Sequence, residues 1–172
     1  MRFEKNNFAF IDAQNMHKGI RGLGWDLDWK KFRIYLKEKY GVSVAYLFIG
    51  YMPEYNERYV ELQKAGFVLN FKPTFTDGSG KVKGNVDTDL VLQAVIDRDI
   101  YGKAIIATSD GDFCSLVGYL DKNEKLEVVL SPHPERCSAL LKKTAKGKMA
   151  FINTLANKLM STNEKAPPQD RT

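Results

Sequence analysis

The sequence predicts an α/β protein, a three-layer α/β/α sandwich around a central, mainly parallel sheet. Three observations predict it. Short apolar runs of strand length alternate with longer segments of helical pattern along the chain. The runs are apolar at nearly every residue, as in Val44 to Ile49, which suits strands buried on both faces of a parallel sheet. Turn and capping residues, chiefly aspartate and glycine, punctuate the alternation.

Phe8 to Ile11 is the first strand, ending at Asp12. A helix begins at Ala13 and runs to Gly19, after which Gly19, Gly22 and Gly24 break the chain into a loop. Asp28 is an N-cap for a helix from Trp29 to Tyr40, because its carboxylate can accept amides of the first turn. Phe32, Tyr35 and Leu36 form the apolar stripe of that helix, and Gly41 ends it. Ser43 to Ile49 is the second strand. Pro53 opens a helix through Glu54–Ala65, closed by Gly66, and Phe67 to Phe71 is the third strand. Thr76-Asp77-Gly78-Ser79-Gly80 is a turn whose flanks pair as a small hairpin. Val86 to Tyr101 reads as a helix facing the sheet through Leu90, Val91, Ala94, Val95 and Ile96. Lys103 to Ala107 is the fourth strand, Asp112 to Asp121 a helix, and Leu126 to Leu130 the fifth strand. Ser131 to Pro134 is a turn, Glu135 to Lys143 a helix, and Ala150 to Met160 a final short element. One domain is expected over residues 1–160, followed by a disordered polar tail over 161–172.

The chain has 172 residues, 44% of them hydrophobic and 27% charged, as in a soluble globular protein. Its formal net charge is +5, which suits a polyanionic partner as well as it suits simple solubility. Cys114 and Cys137 lack metal-ligand spacing and are expected as buried thiols in helices, consistent with a reducing compartment. No secretory leader or membrane-length apolar run is visible, so a cytoplasmic location is expected by default and a membrane partner is not.

Chemistry is suggested by aspartates at strand-to-helix junctions. They are Asp12 in Phe-Ile-Asp-Ala-Gln-Asn, Asp87 and Asp89 in Asn-Val-Asp-Thr-Asp-Leu, and Asp110 and Asp112 in Thr-Ser-Asp-Gly-Asp-Phe. Apolar runs precede Asp12 and Asp110, which places both at the carboxyl ends of buried strands, where open α/β sheets have their ligand crevice. Two carboxylates ~4 Å apart repel by roughly 1 kcal/mol in water and roughly 4 kcal/mol at an effective dielectric of about 20. A divalent cation removes that cost, and hard carboxylate oxygens suit Mg²⁺ or Mn²⁺. Asp87 and Asp89 lie roughly 200° apart if both are helical, so only one can face a shared cation, and Asp87 is the favoured one. Asn15 is placed to touch a phosphate or orient a water, Thr108 and Ser109 add hydroxyls, and Lys83 can reach a phosphate from the hairpin. Asp12, Asn15 and Asp112 can equally serve as helix caps. Asp26, Asp77, Asp97 and Asp99 read as loop or helix-surface charges, and Trp25, Trp29 and Tyr51 as packing residues that could also stack bases.

Taken in order, Phe-Ile-Asp12-Ala-Gln-Asn15, Lys83-Gly-Asn-Val-Asp87-Thr-Asp89-Leu and Thr108-Ser-Asp110-Gly-Asp112-Phe113 resemble the NYN domain, a branch of the PIN-like nuclease superfamily, and most closely its bacterial LabA-like members. The resemblance spans Phe8 to Leu159. It implies a PIN-like, Rossmann-like sheet with an acidic pocket for Mg²⁺ or Mn²⁺, and RNA cleavage by metal-activated water. Asp12, Asp87, Asp110 and Asp112 would be both the catalytic residues and the metal carboxylates, with Asp89 in support and Asn15, Lys83, Thr108 and Ser109 toward the substrate. RNA is the implied partner, and self-association as a homo-oligomer is compatible with such families. The alternative is a non-catalytic RNA-binding or regulatory module on the same pocket. Asp87-Thr-Asp89 also has the Asp-x-Asp form of haloacid-dehalogenase-like phosphatases. Those place it directly after a first apolar strand, whereas Lys81-Val-Lys-Gly-Asn precedes it here.

Overall fold

The computed structural model describes residues 5–73, 75–83 and 86–162; the side chains of residues 73, 82 and 83 stand outside that description. Six strands form one sheet: β1 (Asn7–Asp12), β2 (Val42–Tyr51), β3 (Phe67–Pro73), β6 (Ala104–Ala107), β7 (Leu126–Ser131) and β8 (Met149–Phe151). Between β3 and β6 lies a separate antiparallel pair, β4 (Phe75–Thr76) and β5 (Val82–Lys83). The helices are α1 (Ala13–Arg21), α2 (Trp29–Tyr40), α3 (Asn56–Lys64), α4 (Asp87–Ile96), α5 (Cys114–Lys122), α6 (Ala139–Thr144) and α7 (Ala156–Leu159).

The six-stranded sheet has the order β3-β2-β1-β6-β7-β8, and every neighbouring pair is parallel. The chain winds outward from β1 to β3, returns to the middle, and winds the other way from β6 to β8. β1 and β6 therefore flank the point where the winding reverses, which is where such sheets open a crevice at their carboxyl ends. Alternate residues of each strand enter one of two cores. On one face Ile11, Leu47 and Ile105 pack with Met16 and Ile20 of α1, Phe32 and Leu36 of α2 and Leu62 of α3. On the other, Phe10, Phe48 and Ile106 pack with Leu90 and Ala94 of α4, Val117 and Leu120 of α5 and Leu141 of α6. The predicted three-layer sandwich is thus the observed one.

Several boundaries move for identifiable reasons. Helix α1 continues past Gly19 because Met16 and Ile20, both fully buried, carry its apolar face one turn further. The segment expected as one helix to Tyr101 stops at Ile96 and tightens into a 3₁₀ turn over Asp97–Asp99. The helix expected from Glu135 starts instead at Ala139, capped by Ser138, after a 3₁₀ turn over Pro134–Arg136. Cys137 is buried in the link between them rather than in a helix. The final short element expected over Ala150 to Met160 divides into a sixth strand of the sheet, Met149–Phe151, and the short helix α7. Asp97 is a further correction: it is buried at 7% exposure, not a surface charge. Its Oδ2 accepts from the Tyr46 hydroxyl at 3.0 Å and from Gln93 Nε2 at 2.8 Å, which satisfies the carboxylate inside the fold. Trp29 packs edge-on against Phe32 and Phe67. Ser161 donates its N–H to the Asp26 carbonyl at 2.8 Å. Residues 1–4 and, of the tail expected over 161–172, residues 163–172 lie outside the described residues.

The entry into β1 is held by Asn7, a buried polar residue at 3% exposure. Its Nδ2 donates to the Tyr40 carbonyl at 2.7 Å, and its Oδ1 accepts from the Lys103 N–H at 2.9 Å. One side chain thus ties β1 to the end of α2 and the start of β6. Asn7→Ala leaves a buried acceptor and a donor without partners, so it should cost about 2–3 kcal/mol. Urea unfolding midpoints of the two proteins would measure this; a difference within about 0.5 kcal/mol, the range of an ordinary surface change, would show that the tie is dispensable.

Candidate active site

The two middle strands deliver the first two carboxylates. In β1, Phe8 and Phe10 enter one core and Ile11 the other, so the next residue of the first set, Asp12, faces α4 and α5. Asp12 is 7% exposed and caps α1, its Oδ1 accepting from the Asn15 N–H at 3.2 Å. Beyond β6 the chain runs through Thr108 and Ser109 to Asp110, which caps the 3₁₀ turn Gly111–Phe113 by accepting from the Asp112 N–H at 2.9 Å. The capping role expected of Asp112 therefore belongs to Asp110. The third contribution comes from the opposite side, where Asp87 is the first residue of α4.

These elements bring carboxylate oxygens of Asp87, Asp110 and Asp112 within 4.8 Å of one another, with Asp87 and Asp110 half-buried and Asp112 exposed. Asp12 is not one of this trio; it is more deeply buried, and close enough to feel the charges of Asp87 and Asp110. Burial is the main force raising its pKa from 3.8 to about 6. The Asn15 amide opposes that shift, and the charges of Asp87 and Asp110 add to it. The donor set is all-carboxylate, compact and open on one side, which fits a hard divalent cation that keeps part of its water shell. Asp89 is not in the cluster: it turns outward and pairs with Lys72 at 3.3 Å.

The neighbouring polar residues hold the frame. Asn15 Oδ1 accepts from both the backbone N–H and the hydroxyl of Ser109, at 2.8 and 2.9 Å, and so joins α1 to the turn that carries Asp110. Thr108 is fully buried, and its Oγ1 accepts from the Asp110 N–H at 3.1 Å, so it shapes this turn and does not line the crevice. The Lys83 side chain lies outside the described residues, although its backbone pairs with Phe75. His133 Nδ1 accepts from the Glu135 N–H at 3.1 Å and serves its own turn. Ser138 is a participant that the motifs do not mark. Its N–H donates to the Ser109 carbonyl at 3.1 Å, and a Cβ at Gly111 would lie 2.6 Å from its Oγ. Gly111 is therefore required for close approach, and its φ is not in the left-handed region.

The raised pKa of Asp12 gives a pH dependence of defined sign. The folded state holds this proton more tightly than the unfolded chain does. The contribution of Asp12 to the stability of the metal-free protein is then greatest below the unfolded value near 3.8 and falls as pH rises to about 6. The loss is on the order of 2–3 kcal/mol. Asp12→Asn keeps the cap and removes the charge, so it should flatten this decline and stabilise the protein at pH 7 by a similar amount. Urea unfolding in EDTA at several pH values between about 4 and 7 would test it. Parallel curves for the two proteins would mean that Asp12 is not the group responsible.

Comparison with known proteins agrees with this geometry. The NYN domain family model matches residues 8–152. A solved structure of a protein of unknown function from Vibrio parahaemolyticus is 21% identical, with a TM-score of 0.77 over 94% of this chain and 99% of that one, a likeness of fold. No curated protein matches. Among the described residues no helix is long and apolar enough to cross a membrane. With a match over most of its length, the same topology in a solved structure and carboxylates gathered where the sheet reverses, the chain belongs to the NYN domain family of the PIN-like nuclease superfamily.

Proposed function

We propose that the protein is a metal-dependent ribonuclease that hydrolyses phosphodiester bonds of RNA at the pocket formed by Asp12, Asp87, Asp110 and Asp112. The observation that carries this reading is the gathering of three carboxylates from two chain segments within 4.8 Å, with the buried Asp12 of a third segment close enough to feel the charges of Asp87 and Asp110. Such a cluster is costly without a cation, and the family is one of nucleases. Mg²⁺ or Mn²⁺ held there would supply an acidified water nucleophile and neutralise charge on the phosphate.

The chain's own residues do the rest. Asp87, Asp110 and Asp112 offer oxygens to the cation, and none needs to attack phosphorus itself. Asp12 would add charge beside them; burial raises its pKa to about 6, and a bound cation would favour its ionised form. Asn15 and Ser109 are positioning residues, since their paired hydrogen bonds set the turn that aims Asp110. Asp89 acts at one remove, keeping Lys72 beside the amino terminus of α4. Thr108 fixes the Asp110 backbone.

The decisive experiment is cleavage of labelled single-stranded and hairpin RNA with Mn²⁺, Mg²⁺ or EDTA, comparing wild type with Asp110→Asn. Cleavage should require the cation and fall at least about 100-fold in the variant, as expected when a charge-stabilising group at the reacting phosphate is lost. Cleavage that survives EDTA or the substitution would place the activity elsewhere. Binding without cleavage would instead indicate a regulatory module.

A further inference from the structure

The loop between β7 and α6 rests on one face of α1. Asn15, Gly19 and Gly22 mark that face on successive turns. Asn15 meets Ser109, Gly19 meets the Pro132 ring, and Gly22 meets the guanidinium of Arg136 so closely that a Cβ on either glycine would collide. The other end of the loop is braced too. Ser138 donates to the Ser109 carbonyl at 3.1 Å and accepts from the Leu141 N–H at 3.3 Å, while Lys142 Nζ donates to the Pro134 carbonyl at 2.9 Å. Arg136 thus sits on a fixed loop, shortly before the Ser138 that abuts Gly111 between Asp110 and Asp112.

Arg136 is exposed, and among the described residues no carboxylate pairs with it. Lys18 and Arg21 are exposed in the last turn of α1, and Arg21 reaches Asp26 only at 3.6 Å. Helix α1 has nine residues, or about 13 Å at about 1.5 Å per residue. The guanidinium therefore stands roughly one helix length from Asp12, too far for the reacting phosphate but suited to another phosphate of the same strand. A guanidinium fork matches phosphate oxygens in bidentate fashion. Acidic residues at the centre repel a polyanion, so cations set back from the centre must hold it.

We infer that Arg136 binds a phosphate of the RNA backbone outside the cleavage position, and that Lys18 and Arg21 extend this contact along α1. The inference rests on the nuclease reading and gives the substrate a path, from the carboxylates across α1 toward the β7–α6 loop.

The test measures binding of a labelled oligouridylate by fluorescence anisotropy over a range of salt, in Asp110→Asn protein so that the strand stays intact. Adding Arg136→Ala should weaken binding about tenfold at low salt and lower the slope of log affinity against log salt by about 0.7, the value for one phosphate contact on a single strand. Gly22→Ala is the second variant. The backbone there is helical, at φ −62° and ψ −16°, so alanine fits, but its Cβ displaces the guanidinium. It should weaken binding by a smaller factor while keeping the charge. If Arg136→Ala binds with the parent's affinity and salt slope, the inference is overturned and the nuclease reading stands. If the parent binds no RNA and wild type cleaves none, both fall.

Discussion

The parallel pairing of β1 with β6 is the constraint on which the site depends. Its register sets Phe8 beside Ala104 and Ile11 beside Ala107. Asp12 and the Thr108–Asp110 turn consequently leave the sheet side by side. A slip of one residue would send Asp12 into the opposite core and Ile11 into the crevice. Asn7 secures one end of this pair of strands by hydrogen bonds to Tyr40 and Lys103. Asn15 secures the other through Ser109. The same two strands are covered by apolar side chains on both faces, so neither can shift without opening a core.

The carboxylates are held against their own repulsion by that frame. Their backbones are fixed by caps and turns: Asp12 by Asn15, Asp110 by Thr108 and Asp112. Asp12 and Asp110 each use Oδ1 for the cap. The carboxylates of Asp87, Asp110 and Asp112 still offer oxygens within 4.8 Å of one another. The arrangement resolves an apparent conflict in the sequence, since capping and cation binding are compatible duties for a single aspartate.

Much of the fold was legible because buried parallel strands are apolar throughout and their helices are capped by recognisable residues, as at Asp28 and Gly41. The places of Asp12 and Asp110 were legible for the same reason, since each follows a buried apolar strand, whereas nothing local separated Asp87 from Asp89, which pairs with Lys72 instead. What escaped is long-range. Strand β8 has three residues and is recruited by β7 rather than by its own pattern. Asp97 looks solvated along the sequence, yet it meets Tyr46 across the fold. Thr108 looks available next to Asp110 until the sheet is assembled and buries it completely. Ser138 bears on Gly111 only because β6 and β7 are neighbours, which no local motif encodes.

An all-parallel sheet also has a history in time. None of its strand pairs is a hairpin, so every pairing must close a long segment of chain, and the pair at the centre joins Phe8 to Ala104. During synthesis from the amino terminus, β1, β2 and β3 can associate early, but they present an incomplete edge until β6 emerges. Asp12 is made near the beginning of translation, and the partners that surround it in the crevice are made long afterward. The pocket is therefore a late event in folding. A growing chain carries its first acid without its cluster and becomes competent to hold a cation only after most of the domain has been made.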